Sequence, residues 1–356
     1  MSEEGELRRL QRSGRSSYIL VLPKRWVEEA RLKEGKSVYV AKQADGSLLI
    51  SPYGPLSKPS MGEAQIELRQ GDDANAIIRK IISAYLHGYS AFYVRAKGAR
   101  LGLAQRMTVK ETIRRYLIGA EVVSESAEGV VAQVLVSYPE LDVEGALRRM
   151  ALIARNMHKD ALDALRRLDR ELAEAVIRAD DEVDRFAHYV DRQLNLAVQL
   201  HGLLRELGLR SPKDCLSYKL IAKSVERVAD HASQLASIGL SLREGLSPKL
   251  LEALGQLSEG SLEVFRGAME ALYKRSYEAA ESIVGAAKSV ARQGEQAIAE
   301  LSLGETDLRW ARVILEHIRR TAEYASDIAE AVLNLTAEGI VVKALGPREQ
   351  ALARGP

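Results

Sequence analysis

Residues 224 to 236 carry the strongest fold signal in the chain and read Ser224-Val225-Glu226-Arg227-Val228-Ala229-Asp230-His231-Ala232-Ser233-Gln234-Leu235-Ala236. Apolar residues recur at spacings of three and four, in a stripe that runs from Ile221 to Leu235. This spacing is typical of one buried face of a bundle helix. Between the apolar positions, Glu226 and Asp230 lie four residues apart and therefore share one helix face.

The pattern returns later in the chain, in a second stripe of mostly apolar residues: Trp310, Ile314, Ile318, Thr321, Ala325, Ile328 and Val332. Breaks near Pro212 and Gly304 precede the two stripes, which predict long helices over residues 213–240 and 306–336. The sequence therefore predicts a helical domain over residues 142–339, built from two three-helix repeats at about 142–243 and 247–339.

Residues 62–140 have a different pattern, in which predicted strands alternate with predicted helices. Such alternation predicts a small α/β domain. Its first helix, over residues 73–87, has one apolar face and either Asp72 or Asp73 as its cap. The segment contains no glycine-rich phosphate loop and no recognisable pair of nucleophile and base, so its motifs predict no chemistry. A proline-rich stretch over residues 51–60 predicts a linker before it.

The amino-terminal module, residues 1–56, contains a strip of six basic residues with no acidic residue between them: Arg8, Arg9, Arg12, Arg15, Lys24 and Arg25. The pattern predicts a strand, a turn at Gly14, a strand over residues 18–22, a short helix begun by Pro23, and a hairpin turning at Asp45 and Gly46. So few large apolar side chains cannot stabilise four strands alone, and we expect partner strands from a second copy of the chain.

Residues 10–26, together with residues 32–38 and the Asp45-Gly46 hairpin, resemble the AbrB/SpoVT or MazE type of swapped-hairpin domain. The resemblance implies a barrel shared by two chains, which binds double-stranded DNA through the six basic residues. Arginine and lysine can contact phosphates and base edges. The alternative is that the basic residues only protect a solvated sheet edge, and that the module serves for dimerisation alone.

Two pairs of carboxylates stand out in the first repeat, Asp180 with Asp184 and Glu226 with Asp230, each pair spaced four residues apart. Two such helices side by side would supply four or more oxygen atoms to a cation, with Asp181, Asp191 or His231 as supplementary ligands. The alternative is an ordinary solvated helix surface, neutralised by Arg185 and Arg227.

The segment 224–236 also resembles the signature of the PhoU family, Glu-Arg-Ile-x-Asp-His-Ala. The resemblance implies iron or zinc ions at Asp180, Asp184, Glu226 and Asp230. The second repeat departs from the signature, because Arg319, Glu323 and Tyr324 stand where Glu, Asp and His are expected. Across almost its whole length the chain is similar to archaeal fusions of an AbrB module to PhoU.

Composition sets the remaining expectations. The net charge of +2, the single cysteine Cys215 and the lack of a long apolar run favour a cytosolic protein that does not span a membrane. His158, His188 and His201 are interpreted as surface or interface residues, and no catalytic residue is predicted. The resemblances imply a non-enzymatic, DNA-binding regulator of phosphate uptake or homeostasis. The alternative is a PhoU-type adaptor that binds a phosphate transporter or a signalling kinase and uses its barrel only to dimerise.

Overall fold

The computed structural model describes residues 6–14, 17–42, 46–52, 62–98, 100–135, 141–200 and 203–341. The chain divides into two compact units, Met1–Lys58 and Pro59–Pro356. The calls on residues 136–140 and on most of the proline-rich linker lie outside the described residues. No described helix is long and apolar enough to cross a lipid bilayer.

The described residues of the first unit form two short antiparallel strand pairs and one short helix. Strands β1 (Gln11–Ser13) and β2 (Ser17–Ile19) pair with each other, helix α1 (Lys24–Glu29) follows, and β3 (Tyr39–Lys42) pairs with β4 (Leu48–Ser51). Gly14, which directly follows β1, adopts a left-handed φ of 65°, a conformation that glycine tolerates without strain. The prediction that the second strand extends over 18–22 is wrong, because pairing with the three-residue β1 ends at Ile19.

None of the described residues of the first unit is buried. Trp26 and a few other apolar side chains are half-buried, and many large apolar side chains are exposed: Leu7, Leu10, Tyr18, Ile19, Leu20, Val21, Tyr39, Val40, Leu48 and Leu49. A folded module normally removes such side chains from water. An apolar surface of this kind on so small a unit is therefore typical of an interface with another chain.

The second unit begins with the predicted small α/β layer. Strands β5 (Glu63–Leu68), β6 (Ala91–Ala96), β7 (Ala120–Glu125) and β8 (Gly129–Val134) form one sheet in the order β5-β6-β8-β7. Strands β5 and β6 are parallel and are joined through helix α2 (Ala74–His87), while helix α3 (Leu103–Tyr116) leads from β6 to β7. Asp73 caps α2 by accepting a hydrogen bond from the Ala76 N–H, which confirms one of the two expected caps.

Among the described residues that follow, the second unit has six long helices: α4 (Val143–Arg167), α5 (Arg170–Gln199), α6 (Asp214–Ser241), α7 (Pro248–Lys274), α8 (Tyr277–Ala299) and α9 (Glu305–Thr336). Helices α4, α5 and α6 pack together, as do α7, α8 and α9, and α6 also packs against α9. The predicted fold class, with tandem three-helix bundles behind an amino-terminal β module, is confirmed. Every apolar residue of the α6 stripe, from Ile221 to Leu235, is buried.

The two three-helix repeats also share the same turn between their first and second helices. Leu168 and Arg275 both adopt a left-handed φ, near 50°, and each is followed directly by a capping residue. Asp169 accepts the Leu172 N–H at the start of α5, and Ser276 accepts the Ala279 N–H at the start of α8. A left-handed residue ends one helix and the capping side chain starts the next. The same combination of a left-handed residue and a capping side chain thus forms the helical hairpin in both repeats.

A buried arginine anchors the α/β layer to the helical bundle. Arg192 of α5 is only 2% exposed, and its guanidinium donates to the backbone carbonyls of Tyr85, Gly88 and Tyr89 at the end of α2. It also lies over the Tyr85 ring, 4.8 Å from the ring centre. Charged donors to buried carbonyls make strong hydrogen bonds. Because α2 is held at this end by α5, the α/β layer and the first repeat are firmly joined.

The exposed apolar surface of the first unit predicts a dimer through that unit. Val40 of β3 lies in this unit, and Val123 of β7 in the other unit is a matched control position, since their side chains are 52% and 53% exposed. We expect Val40→Asp to weaken the dimer at least tenfold, since it buries a charge in the interface, whereas Val123→Asp leaves it intact. Light scattering after gel filtration should give twice the 39.2 kDa of one chain for the wild type. A wild type that runs as a monomer at micromolar concentration would contradict the prediction.

Candidate metal centre

Helices α5 and α6 lie side by side, and the packing brings together carboxylates from both. One oxygen atom each of Asp184, Glu226 and Asp230 lies within 4.8 Å of the others, and all three residues are half-buried. Asp180, one turn before Asp184, does not belong to this trio but lies close enough to interact electrostatically with it. We call these four residues the carboxylate cluster. Its members are the four that the sequence analysis nominated.

The carboxylate cluster holds more negative charge than its surroundings favour. Burial and, after it, the charges of Asp230 and Asp184 together raise the pKa of Asp180 to about 7. Burial and, after it, the charge of Glu226 likewise raise the pKa of Asp184 and the pKa of Asp230 to about 6. Each shift disfavours the ionised form, because the carboxylates are partly removed from water and repel one another. A bound cation would relieve both effects.

The basic residues around the cluster differ from those expected. Lys223, one turn before Glu226 on α6, forms the ion pair with Glu226. Arg227 lowers the pKa of Asp230 through its charge, but its guanidinium lies over the Tyr324 ring, 5.7 Å from the ring centre. Lys223 was missed by the sequence analysis, although its spacing of three residues from Glu226 was a usable signal. The cluster therefore has one ion-paired acid and three acids without such a partner among the described residues.

The expected supplementary ligands are engaged elsewhere. Asp181 forms an ion pair with Arg115, which extends from the end of α3 in the α/β layer. Asp191 pairs with Lys219. His231 contacts His317, with 2.7 Å between their Nδ1 atoms, and its Nε2 lies 3.3 Å from the Tyr324 hydroxyl. The oxygen donors of the carboxylate cluster are thus the ligands that this site offers, and carboxylates suit hard and borderline cations.

The second repeat presents a neutralised version of the same surface. Arg319 on α9 forms ion pairs with Glu316 and Glu323, and Arg320 forms ion pairs with the same two acids. On α8, the expected acidic position falls on Gly285, Ala286, Ala287 and Lys288. Here the guanidinium groups already supply the positive charge that the first repeat lacks.

The histidines have structural partners. His158, which the sequence analysis interpreted as a surface or interface residue, is completely buried and therefore not a surface residue. Its Nε2 lies 2.9 Å from the Ser258 hydroxyl and its Nδ1 lies 3.2 Å from the Thr321 hydroxyl, and burial lowers its pKa to about 4. His188 Nδ1 lies 3.2 Å from the Tyr116 carbonyl oxygen. His201 lies outside the described residues.

The basic strip of the first unit is exposed wherever it is described. Arg8 pairs with Glu6, Lys24 with Glu28 and Arg25 with Glu29, all of them near neighbours in sequence. Arg9 is exposed before β1, and Arg12 is exposed within β1, where it lies opposite Tyr18. Arg15 lies outside the described residues, as does Asp45 of the expected hairpin turn.

Two domain families match this chain. Residues 147–238 match the PhoU domain, and residues 11–58 match the family described as antidote-toxin recognition MazE, bacterial antitoxin. The chain thus combines an amino-terminal MazE/AbrB-like module with a PhoU domain, which confirms the fusion expected from the sequence. The expected archaeal source remains a prediction.

Similar proteins include a phosphate-specific transport system accessory protein PhoU homolog from Pseudomonas aeruginosa, 27% identical over 58% of this chain and 86% of that protein. The homolog from Pseudomonas putida is 25% identical, and the match covers 58% of this chain and 81% of that protein. Among solved structures, PhoU from P. aeruginosa is 23% identical with a TM-score of 0.47, covering 55% of this chain and 96% of that one. PhoU from Streptococcus pneumoniae is 22% identical with a TM-score of 0.46, and the match covers 57% of this chain and 96% of that one.

The raised pKa values predict that the metal-free protein loses stability as the pH rises from about 4 towards 7. The folded protein holds these protons more tightly than the unfolded chain, so ionisation at higher pH favours unfolding. In the presence of a chelator at pH 8, Asp230→Asn should therefore raise Tm by about 2 to 4 °C, the shift that about 1 kcal/mol produces in a domain of this size. At pH 4 the gain should vanish.

Differential scanning fluorimetry would measure these shifts, with Asp160→Asn as the matched control on the exposed face of α4. That control should change Tm little at either pH. A lower Tm for Asp230→Asn in chelator at pH 8 would contradict the account of the cluster as mutually repelling carboxylates.

Proposed function

We propose that this chain is a non-enzymatic, DNA-binding transcriptional regulator of phosphate uptake or phosphate homeostasis. In this proposal the amino-terminal module of a homodimer binds double-stranded DNA, and the PhoU-like helical domain acts as the sensor or effector. The fusion of the two domains supports it, and so does the similarity to PhoU homologs that are accessory proteins of the phosphate-specific transport system. The observation that carries it is the exposed basic strip on a module of the MazE/AbrB type.

The ion pairs within the strip leave it available to DNA. Arg8, Lys24 and Arg25 each pair with an acid two or four residues away, and those side chains are well exposed. Surface ion pairs of this kind contribute at most about 1 kcal/mol each and are screened by salt. Contacts to DNA phosphates release condensed counterions, and such contacts can therefore replace the surface ion pairs. Arg9 and Arg12 belong to the same exposed surface at β1.

The carboxylate cluster supports a second part of the proposal, that the first repeat holds iron or zinc ions. Asp184, Glu226 and Asp230 would supply the closest oxygen atoms, and Asp180 would complete the set. A bound cation would supply the positive charge that the cluster lacks and would tie α5 to α6. The second repeat is not proposed to bind metal in the same way, because Arg319 and Arg320 already form ion pairs with Glu316 and Glu323.

The second candidate function is a PhoU-type adaptor that binds a phosphate transporter or a signalling kinase. One observation favours it: Arg8, Lys24 and Arg25 of the basic strip are paired with acids of the same module. In that case the amino-terminal module would serve only to dimerise the chain. The two candidates differ in whether the basic strip binds DNA with specificity.

We expect the purified protein to bind its own upstream DNA at least about a thousand-fold more tightly than unrelated DNA, as specific regulators do. Arg9→Ala/Arg12→Ala should weaken binding to both DNAs and reduce the slope of log affinity against log salt, since each phosphate contact contributes about one unit to it. Fluorescence anisotropy across a salt series measures both quantities.

Lys33→Ala is the control, because Lys33 is an exposed base of the same module outside the strip. It should leave the affinity and the salt slope almost unchanged. If the wild type does not distinguish the two DNAs, or if the double variant binds as tightly as the wild type, the adaptor becomes the leading function.

A further inference from the structure

The α/β layer contains a cleft that the proposed function does not use. Its volume is about 420 Å³, and it is lined by Glu67, Arg69, Asp72, Lys80 and Lys97. Clefts of about 300 to 1,000 Å³ are typical of small-molecule sites. This one is lined entirely by charged residues, so its ligand must be polar and charged.

The position of the cleft follows from the parallel pairing of β5 with β6. Leu68 and Ala96, the last residues of the two strands, lie opposite each other in the register. Arg69 and Lys97 follow them directly, so these two bases leave the sheet at the same edge, about one strand spacing of 4.8 Å apart. Helices α2 and α3 begin at this edge. In open α/β sheets the crevice outside the carboxyl ends of parallel strands is the usual ligand site.

Hydrogen bonds hold the floor of the cleft in place. Asp72 accepts the Arg69 backbone N–H and forms an ion pair with Lys80, whose ammonium also donates to the Glu67 carbonyl at 3.3 Å. Gln105 of α3 donates to the Arg69 carbonyl at 3.3 Å, which fixes the loop to the second helix. Asp72 and Lys80 therefore satisfy each other and define the shape of the cleft.

Two basic residues of the cleft, Arg69 and Lys97, take no part in these side-chain contacts. The side chains of Arg69 and Lys97 are exposed, and no hydrogen bond or ion pair of theirs is found among the described residues. With Asp72 and Lys80 paired, the bases outnumber the remaining carboxylate, Glu67. The positive ends of the α2 and α3 dipoles add to the positive potential. A guanidinium and an ammonium on neighbouring strand ends are well suited to bind phosphate oxygens.

We propose that this cleft binds a small phosphate-bearing anion, with the phosphate held between the Arg69 guanidinium and the Lys97 ammonium. The site shares no residue with the basic strip or with the carboxylate cluster. It lies at one end of α2, and the other end of α2 is held by Arg192 of the helical bundle. Ligand binding would thus stabilise a helix that contacts the PhoU-like domain directly.

Isothermal titration calorimetry on the full chain tests the proposal, after chelator treatment so that no cluster-bound metal contributes. The ligands are inorganic phosphate, pyrophosphate and a nucleoside triphosphate, with sulfate as the comparison anion. Arg69→Ala/Lys97→Ala should weaken binding of the tightest ligand at least tenfold. Arg79→Ala, an exposed base on α2 outside the cleft, should leave it within twofold.

The pattern across ligands identifies the source of the phosphate. Tightest binding of inorganic phosphate assigns the free anion, and tightest binding of pyrophosphate or nucleotide assigns a phosphoanhydride. The proposal is overturned if no phosphate compound binds in the millimolar range, if sulfate binds as tightly, or if the double variant binds like the wild type. DNA affinity, measured on the same double variant, should stay unchanged, which separates this site from the proposed DNA-binding function.

Discussion

Helix α6 imposes the constraint on which the rest of the bundle depends, because it packs against α4, α5 and α9 at once. A helix with three neighbours must be apolar over most of its circumference, and α6 buries its whole stripe from Ile221 to Leu235. Glu226 and Asp230 lie at the seam with α5, and His231 lies at the seam with α9. The half-burial of the cluster carboxylates, and with it their raised pKa values, follows from this packing.

The two repeats differ in how the negative charge of their acidic side chains is neutralised. Both fold through the same left-handed turn and capping residue, so their backbones can be alike while their surfaces differ. In the second repeat, Arg319 and Arg320 each span two glutamates, and the charges are balanced within one helix. In the first repeat the acids of α5 and α6 face one another, and Lys223 is a salt-bridge partner of only one of them. Like charges held together in a partly buried site cost stability unless a counter-charge is bound, which is the physical case for a cation there.

Much of this arrangement could be predicted from periodicity and local chemistry. The stripe of α6, the Asp73 cap and the four cluster carboxylates each follow from spacing within one helix. Contacts between distant segments could not be predicted in that way. Arg192 looks like any polar residue of a helix, because its partners are backbone carbonyls of α2 that carry no sequence signal. His158 was misjudged for the same reason, since Ser258 and Thr321 come from other helices. The Arg69 and Lys97 cleft depends on the parallel register of two strands, which a single segment does not reveal.

We propose that the first repeat, and not the second, binds a cation. The most direct measurement is the metal content of the purified full chain by inductively coupled plasma mass spectrometry, after loading with iron or zinc and removal of free metal. The account predicts that bound metal is lost in Glu226→Gln/Asp230→Asn and kept in Glu316→Gln/Glu323→Gln, the matched change on α9. Metal that survives the first double substitution, or that is lost with the second, would contradict it.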